Sequence, residues 1–145
     1  MNNQVVYTLV EDLDYLLSQD YSTDSWYDEG FLFARELLDK FTEHDWNEII
    51  ILSEHRDVEW EKKIVYCVNK DYYRGLDLIR KIIKSNDREL KEMCIDSLRD
   101  YDSDVLRRYF REHDELNDCI HGFDANDSII GKKIMDDLMA RTGLL

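Results

Sequence analysis

Apolar residues recur at intervals of three and four along most of the chain, which is the spacing of amphipathic helices. The first such stretch predicts a helix over residues 4–20, with Val6, Leu9, Val10, Leu13, Leu16 and Leu17 facing inward. Seven more helices are predicted. The first six are one capped by Thr23, Asp24 or Ser25, one over 44–54, and four that start at Asp57, near Leu76, at Asn86 or Asp87 and at Ser103. The last follows a loop over 122–128, has Ile130, Ile134 and Leu138 facing inward, and ends near Gly143.

Turn-forming residues are scarce, since the chain of 145 residues has no proline and only five glycines. Strand-rich domains need frequent turn residues, whereas helices joined by short polar corners do not. The sequence therefore predicts an all-α protein.

Two consecutive helix pairs share one pattern when the sequence is shifted by 30 residues. The matched positions are Asp57 with Asp87, Trp60 with Leu90, Ile64 with Cys94, Val65 with Ile95, and Val68 with Leu98. A helix-pair period of this size is typical of α-solenoids, in which each hairpin buries its apolar face on its neighbours. We expect a short HEAT/ARM-like solenoid of about eight stacked helices, forming one domain over residues 1–145. An irregular helical bundle with accidental periodicity is the alternative.

Negative charge is concentrated in the first part of the chain. The whole sequence has 33 acidic and 19 basic residues, and residues 1–60 hold 15 of the acids but only three bases, Arg35, Lys40 and Arg56. A surface with this excess attracts cationic proteins and repels nucleic acid and anionic membranes. The charge pattern favours a positively charged protein as the partner, with no nucleic acid and no membrane.

The remaining composition indicates a cytoplasmic protein. The longest aliphatic run, residues 49–52, is far shorter than a membrane span, and the N-terminus lacks the basic and apolar regions of a signal peptide. Three widely spaced cysteines do not predict a disulfide framework.

No residue cluster predicts catalysis, a metal site or a cofactor. Asp100, Asp102 and Asp104 begin like a calcium loop, but Val105 stands where glycine is required and Arg111 where glutamate is required. Cys119, His121 and His113 lack the second close pair of ligands that structural zinc needs. We therefore expect a binding protein and not an enzyme.

Acidic and aromatic residues occur together at three predicted corners. Tyrosine and tryptophan often anchor protein interfaces, while surrounding charges steer the encounter. The alternative is that these aromatic residues cover the core at helix ends. The candidate partner-binding residues are Asp24, Trp26, Tyr27, Asp28 and Glu29 in the first group, Asp71, Tyr72 and Tyr73 in the second, and Asp100, Tyr101, Asp102 and Asp104 in the third.

The chain resembles the all-helical, HEAT/ARM-like immunity proteins of bacterial contact-dependent growth inhibition and related polymorphic toxin systems. The resemblance rests on small size, acidity, absent proline and the segment 57–98, in which the stripe of Trp60, Ile64, Val65 and Val68 is repeated. It implies a toxin inhibitor that binds a cognate basic toxin domain, commonly an RNase or DNase, and occludes its active site. No catalytic motif defines that group, so the resemblance assigns no individual residue.

Two other functions remain open at this stage. A helical-repeat adaptor that joins two proteins without any toxin partner has the same composition. An enzyme that repairs alkylated DNA on a helical-repeat scaffold needs a basic groove for the duplex, and the acidic first half disfavours it.

Overall fold

The computed structural model describes residues 6–20, 22–123 and 129–143, and only the backbone of Thr23. Over these ranges the regular secondary structure is helical without any strand, which confirms the all-α prediction. Internal contacts divide the chain into two compact units, Met1–Cys67 (unit 1) and Val68–Leu145 (unit 2). The solenoid arrangement and the single domain over residues 1–145 stay predictions.

Unit 1 begins with α1, and its helices pack mainly around that first helix. Helix α1 contacts α3, α4 and α5, and α3 also contacts α5. Buried Leu13, Ala34, Ile49 and Ile64 come from these four helices. The elements are α1 (Leu9–Leu17), α2 (Thr23–Ser25), a π-helical turn (Trp26–Gly30), α3 (Phe31–Leu38), α4 (Glu43–Ser53) and α5 (Val58–Cys67).

Capping boxes fix where α1 and α4 begin. The Thr8 hydroxyl accepts from the Glu11 backbone N–H, and the Glu11 carboxylate accepts from the Thr8 N–H. Thr42 and Asp45 repeat this exchange at α4. Each pair satisfies backbone donors that the helix itself leaves without partners.

In the described part of unit 2 there are five helices, of which α10 packs on α7 and α8. Helix α6 packs on α7, and α8 packs on α9. Buried Ile79, Leu98, Phe110 and Leu138 belong to four of them. The helices are α6 (Gly75–Ile82), α7 (Arg88–Leu98), α8 (Ser103–Glu112), α9 (Asp114–His121) and α10 (Ile129–Thr142).

Helices α5 and α7 begin in the same way, as the 30-residue pattern predicts. The Asp57 carboxylate accepts from the Trp60 backbone N–H at 2.9 Å, and the Asp87 carboxylate accepts from the Leu90 N–H at 2.9 Å. The matched apolar positions of the two segments are all buried. The matched positions are thus alike in burial and in capping, while their stacking as solenoid repeats stays a prediction.

Several predicted details are wrong. Val6 is 85% exposed and precedes α1, and Ile130 is 69% exposed although it was expected in the core. Asp24 and Ser25 lie within α2, where the Ser22 hydroxyl accepts from the Ser25 N–H. Residues 4–5 of the first predicted helix, the Thr23 side chain and residues 124–128 of the predicted loop lie outside the described residues.

Helix α9 was not expected. His113 has a non-helical backbone (φ −135°, ψ 78°) that separates α9 from α8. Only Leu116 and Ile120 of α9 are buried, so its apolar pattern is short.

Candidate partner-binding surface

The first predicted corner of unit 1 contains a single π-helical turn. The Phe31 N–H donates to the Trp26 carbonyl oxygen five residues earlier, which is the hydrogen bond of a π-helix. Trp26 is 5% exposed, and a Cβ at Gly30 would lie 2.5 Å from Cε3 of its indole ring. Glycine at position 30 therefore lets the indole pack against the backbone of its own helix.

Lys63 of α5 connects this turn to the end of α1. Its ammonium donates to the Leu17 and Gln19 carbonyl oxygens at 3.0 and 2.6 Å, and it lies 6.0 Å from the centroid of a Trp26 ring. A cation is favourable at a helix C-terminus, where carbonyl groups lack partners. These contacts hold the π-helical turn against α1 and α5.

Next to this turn lies a group of side chains that we call the aromatic cluster: Tyr27, Phe31, Arg35 and Tyr66. The rings of Tyr27 and Tyr66 meet edge to face with centroids 4.7 Å apart, and Phe31 meets Tyr66 in the same way at 5.1 Å. The Arg35 guanidinium carbon lies 5.2 Å from the Phe31 ring centroid. Partial burial, followed by the neighbouring Tyr27, raises the pKa of Tyr66, so its hydroxyl stays protonated near neutral pH.

Tyr27 and Tyr66 both keep large exposed areas. Tyr27 is 47% exposed and Tyr66 is 44% exposed. Tyrosine in such a position offers an apolar ring and a polar tip to another molecule. Tyr27 was predicted from the sequence, whereas Tyr66 was not, because it lies outside the buried stripe of α5 and has no acidic neighbour in sequence.

Three carboxylates accompany Tyr27, and we call Asp24, Asp28 and Glu29 the acidic turn. All three are exposed. Their carboxylates have no hydrogen-bond or ion-pair partner among the described residues. Carboxylates without internal partners remain available to accept hydrogen bonds from lysine or arginine of another protein.

Trp26, by contrast, is a core residue and not a surface anchor. Its low exposure leaves no contact area for a partner in this conformation. The expectation that it binds a partner directly is therefore contradicted, and its role is to support the turn that carries Tyr27.

The second and third predicted groups lie side by side in unit 2. The Tyr101 hydroxyl donates to the Tyr72 carbonyl oxygen at 2.9 Å, and the Lys70 N–H donates to the Asp100 carboxylate at 3.3 Å. Tyr101 is 2% exposed, and its burial raises the pKa of its hydroxyl. Tyr101 thus belongs to the core, which contradicts its assignment as a contact residue.

The other members of these two groups are more accessible. Asp71, Asp100, Asp102 and Asp104 are exposed, and Tyr73 is 52% exposed, whereas Tyr72 is only partly exposed. The Asp104 carboxylate pairs with the Arg107 guanidinium of the same helix. These residues provide acidic surface in unit 2 with one tyrosine ring at its edge.

One cluster of charged side chains inside unit 2 is neutralised by internal partners. The Tyr109 hydroxyl donates to Asp77 at 2.5 Å and accepts from Arg80 at 2.8 Å, and Arg80 also donates to Glu115 at 2.8 Å. Burial and the Asp77 hydrogen bond raise the pKa of Tyr109. Every group in this chain of contacts has a partner, so it connects α6, α8 and α9 and leaves no reactive group unpaired.

The described residues contain no cluster of three histidine, cysteine, aspartate or glutamate side chains arranged to hold an ion. Among them, no helix has both the length and the apolar character needed to cross a bilayer. Comparisons with protein-family models, curated proteins and solved structures find no match to this chain.

Proposed function

We propose that this chain is a cytoplasmic immunity protein of a bacterial toxin system, which binds a cationic toxin domain through unit 1 and occludes its active site. The observation that carries the proposal is the acidic turn, whose three exposed carboxylates have no internal partner in the described structure. The exposed ring of Tyr27 stands among them.

The contrast with unit 2 supports this choice of surface. There, Asp77, Asp96, Glu115 and Asp137 each lie 2.8–2.9 Å from an arginine nitrogen. Paired carboxylates exert a weaker field on a distant cation than unpaired ones do. The acid excess of unit 1 therefore attracts a basic partner more strongly than unit 2 does.

A nuclease toxin suits this surface because its cleft must hold phosphate groups with lysine and arginine. Carboxylates of the acidic turn can take the place of phosphoryl oxygens and accept the same donors. Tyr27 adds the kind of aromatic contact that often dominates the energy of an interface. Electrostatic attraction also speeds association, which an inhibitor needs when the toxin acts quickly.

The test begins with capture of binding proteins from the native cell by the full chain. The proposal expects a basic protein that degrades RNA or DNA, kills cells when expressed alone, and is inhibited at one-to-one stoichiometry by this chain. Capture of a non-toxic protein that this chain joins to a second protein would instead establish an adaptor.

A charge-reversal pair then locates the contact surface. Replacing Asp24, Asp28 and Glu29 by lysine should lower the association rate at least ~10-fold, since steering contributes that much or more to charged complexes. The matched control replaces three exposed acids of unit 2 by lysine and so changes the net charge equally: Glu112, Asp118 and Asp136. Equal losses in both triple variants would show that only overall charge matters and would remove the assignment to the acidic turn.

A further inference from the structure

We infer that the aromatic cluster is the place where an arginine side chain of the partner stacks, so that Tyr66 belongs to the binding surface together with Tyr27. This inference rests on the proposed function, because it names the group of the cationic partner that unit 1 receives. Nothing in the sequence placed Tyr66 at this surface; the 4.7 Å edge-to-face contact with Tyr27 does.

Geometry favours a planar cation at this cluster. Two rings that meet edge to face present a corner, and both tyrosines remain close to half exposed. A guanidinium is flat and weakly hydrated, so it can lie on one ring while it donates hydrogen bonds in its own plane. An ammonium group is compact and strongly hydrated and gains less from such a corner.

The cluster already holds one guanidinium in this manner. Arg35 lies over Phe31 at 5.2 Å, and Phe31 contacts Tyr66. Arg35 also acts electrostatically on Tyr66, while Tyr27 and Tyr66 both keep exposed ring area beside it. The arrangement within the molecule shows the kind of contact that a second arginine would make with Tyr27 or Tyr66.

Charge complementarity supplies the attraction. Asp24 lies three residues before Tyr27 and Asp28 follows it directly, so that exposed carboxylates lie on the same helical segment as the ring. On α5, Lys62 lies four residues before Tyr66 and forms an ion pair with Glu59 at 3.7 Å. An arginine stacked on Tyr27 can therefore also donate to a carboxylate of the acidic turn.

Peptide probes test the inference without any toxin. Octa-arginine and octa-lysine peptides carry equal charge, so general electrostatics treats them alike. The full chain should bind the arginine peptide several-fold more tightly, and the ring proton signals of Tyr27 and Tyr66 should shift. Tyr27→Leu and Tyr66→Leu should each weaken arginine-peptide binding about 2–5-fold and reduce the preference over lysine.

Two control variants separate ring stacking from changes in folding. Tyr15→Leu removes a 71% exposed tyrosine of unit 1 that makes no ring contact in the described structure, and it should leave both affinities unchanged. Tyr66→Phe keeps the ring and should retain the arginine preference. Should Tyr66→Leu lose its helical circular dichroism, Tyr27→Leu and Tyr66→Phe still decide the matter.

Equal affinity for the two peptides, or an arginine preference that survives Tyr27→Leu, would overturn the inference. Failure of the inference and failure of the proposed function give different results. A captured nuclease that binds normally to Tyr27→Leu and Tyr66→Leu variants would refute arginine stacking and leave the immunity function standing. An arginine preference in a chain that captures no toxin would support arginine stacking and refute the immunity function.

Discussion

The hydroxyl oxygen of Tyr101 occupies the space into which a side chain at position 75 would point, since a Cβ built on Gly75 lies 2.5 Å from it. The same hydroxyl donates to the Tyr72 carbonyl oxygen. Glycine at the first residue of α6 therefore allows a buried tyrosine to reach a backbone acceptor.

This relationship predicts that Gly75→Ala and Tyr101→Phe are not additive. The alanine alone should lower the free energy of unfolding by about 1–3 kcal/mol through overpacking. Tyr101→Phe alone should cost about 1 kcal/mol for the lost hydrogen bond. In the double variant the alanine should cost less, because the oxygen that it meets is gone. Urea denaturation of the four proteins measures the coupling, and strictly additive costs would contradict the packing described.

The two equivalent helix starts should respond alike to substitution. Asp57→Ala and Asp87→Ala each remove a carboxylate that accepts from the third residue of a helix, and each should cost about 1 kcal/mol. Asparagine at either position should restore most of the loss, since its side-chain oxygen also caps well. Asp102→Ala is the matched control, because Asp102 precedes α8 without a side-chain cap bond. A similar cost at all three positions would mean that net charge, and not capping, sets the effect.

Asp14 should make unit 1 sensitive to acid. Hydrogen bonds from the Arg56 guanidinium, at 2.9 and 2.8 Å, lower the pKa of this carboxyl against a smaller opposing effect of burial, and the Trp60 indole N–H also donates to it. Because the pKa of Asp14 is lower in the folded protein, its ionised carboxylate stabilises the fold at pH values above its ordinary pKa of 3.8. That stabilisation is lost as the pH falls through the folded-state pKa.

Asp14→Asn should therefore lower the free energy of unfolding near neutral pH by about 1–2 kcal/mol, a range reduced for the partial exposure of the pair. Below the folded-state pKa the difference from the parent protein should largely vanish. Asp20→Asn, at an exposed position without a partner in the described residues, is the matched control and should leave the free energy of unfolding at neutral pH nearly unchanged. Thermal melting over a series of acidic buffers distinguishes the two variants.

Charges placed on the buried stripe should unfold the protein. Val65 is 2% exposed and Leu98 is fully buried, so aspartate at either position would bury a charge without a partner. We expect Val65→Asp and Leu98→Asp each to cost more than ~3 kcal/mol. Ile51→Asp, at a position 59% exposed, should be tolerated. Normal melting of the first two variants would contradict the burial described for Val65 in α5 and for Leu98 in α7.

The helices could be predicted from sequence because their buried residues follow a regular spacing. Trp60, Ile64 and Val65 lie on one side of α5, and their counterparts lie on one side of α7, so the buried residues of both helices were predicted correctly. The start of α5 at Asp57 was also predicted, and Asp87 was one of two candidates for the start of α7, because capping is a local interaction between residues three apart.

The candidate surface was harder to predict because aromatic side chains are amphipathic. Trp26 and Tyr101 stand beside acids in sequence, yet tertiary packing buries both. For Trp26 a signal existed in Gly30, four residues later, whose missing side chain leaves room for the indole. Tyr66 offered no signal, because its contact with Tyr27 joins helices 39 residues apart in the chain.

Each unit also contains a shielded thiol, Cys67 at the end of α5 and Cys94 within α7. Burial raises the pKa of the Cys67 thiol, so it does not ionise at neutral pH while the unit is closed. Alkylating reagents reach such groups only when the surrounding helices open. In a Cys119→Ser background, which removes the more accessible third cysteine, mass-resolved labelling would time the opening of the two halves separately and within one molecule.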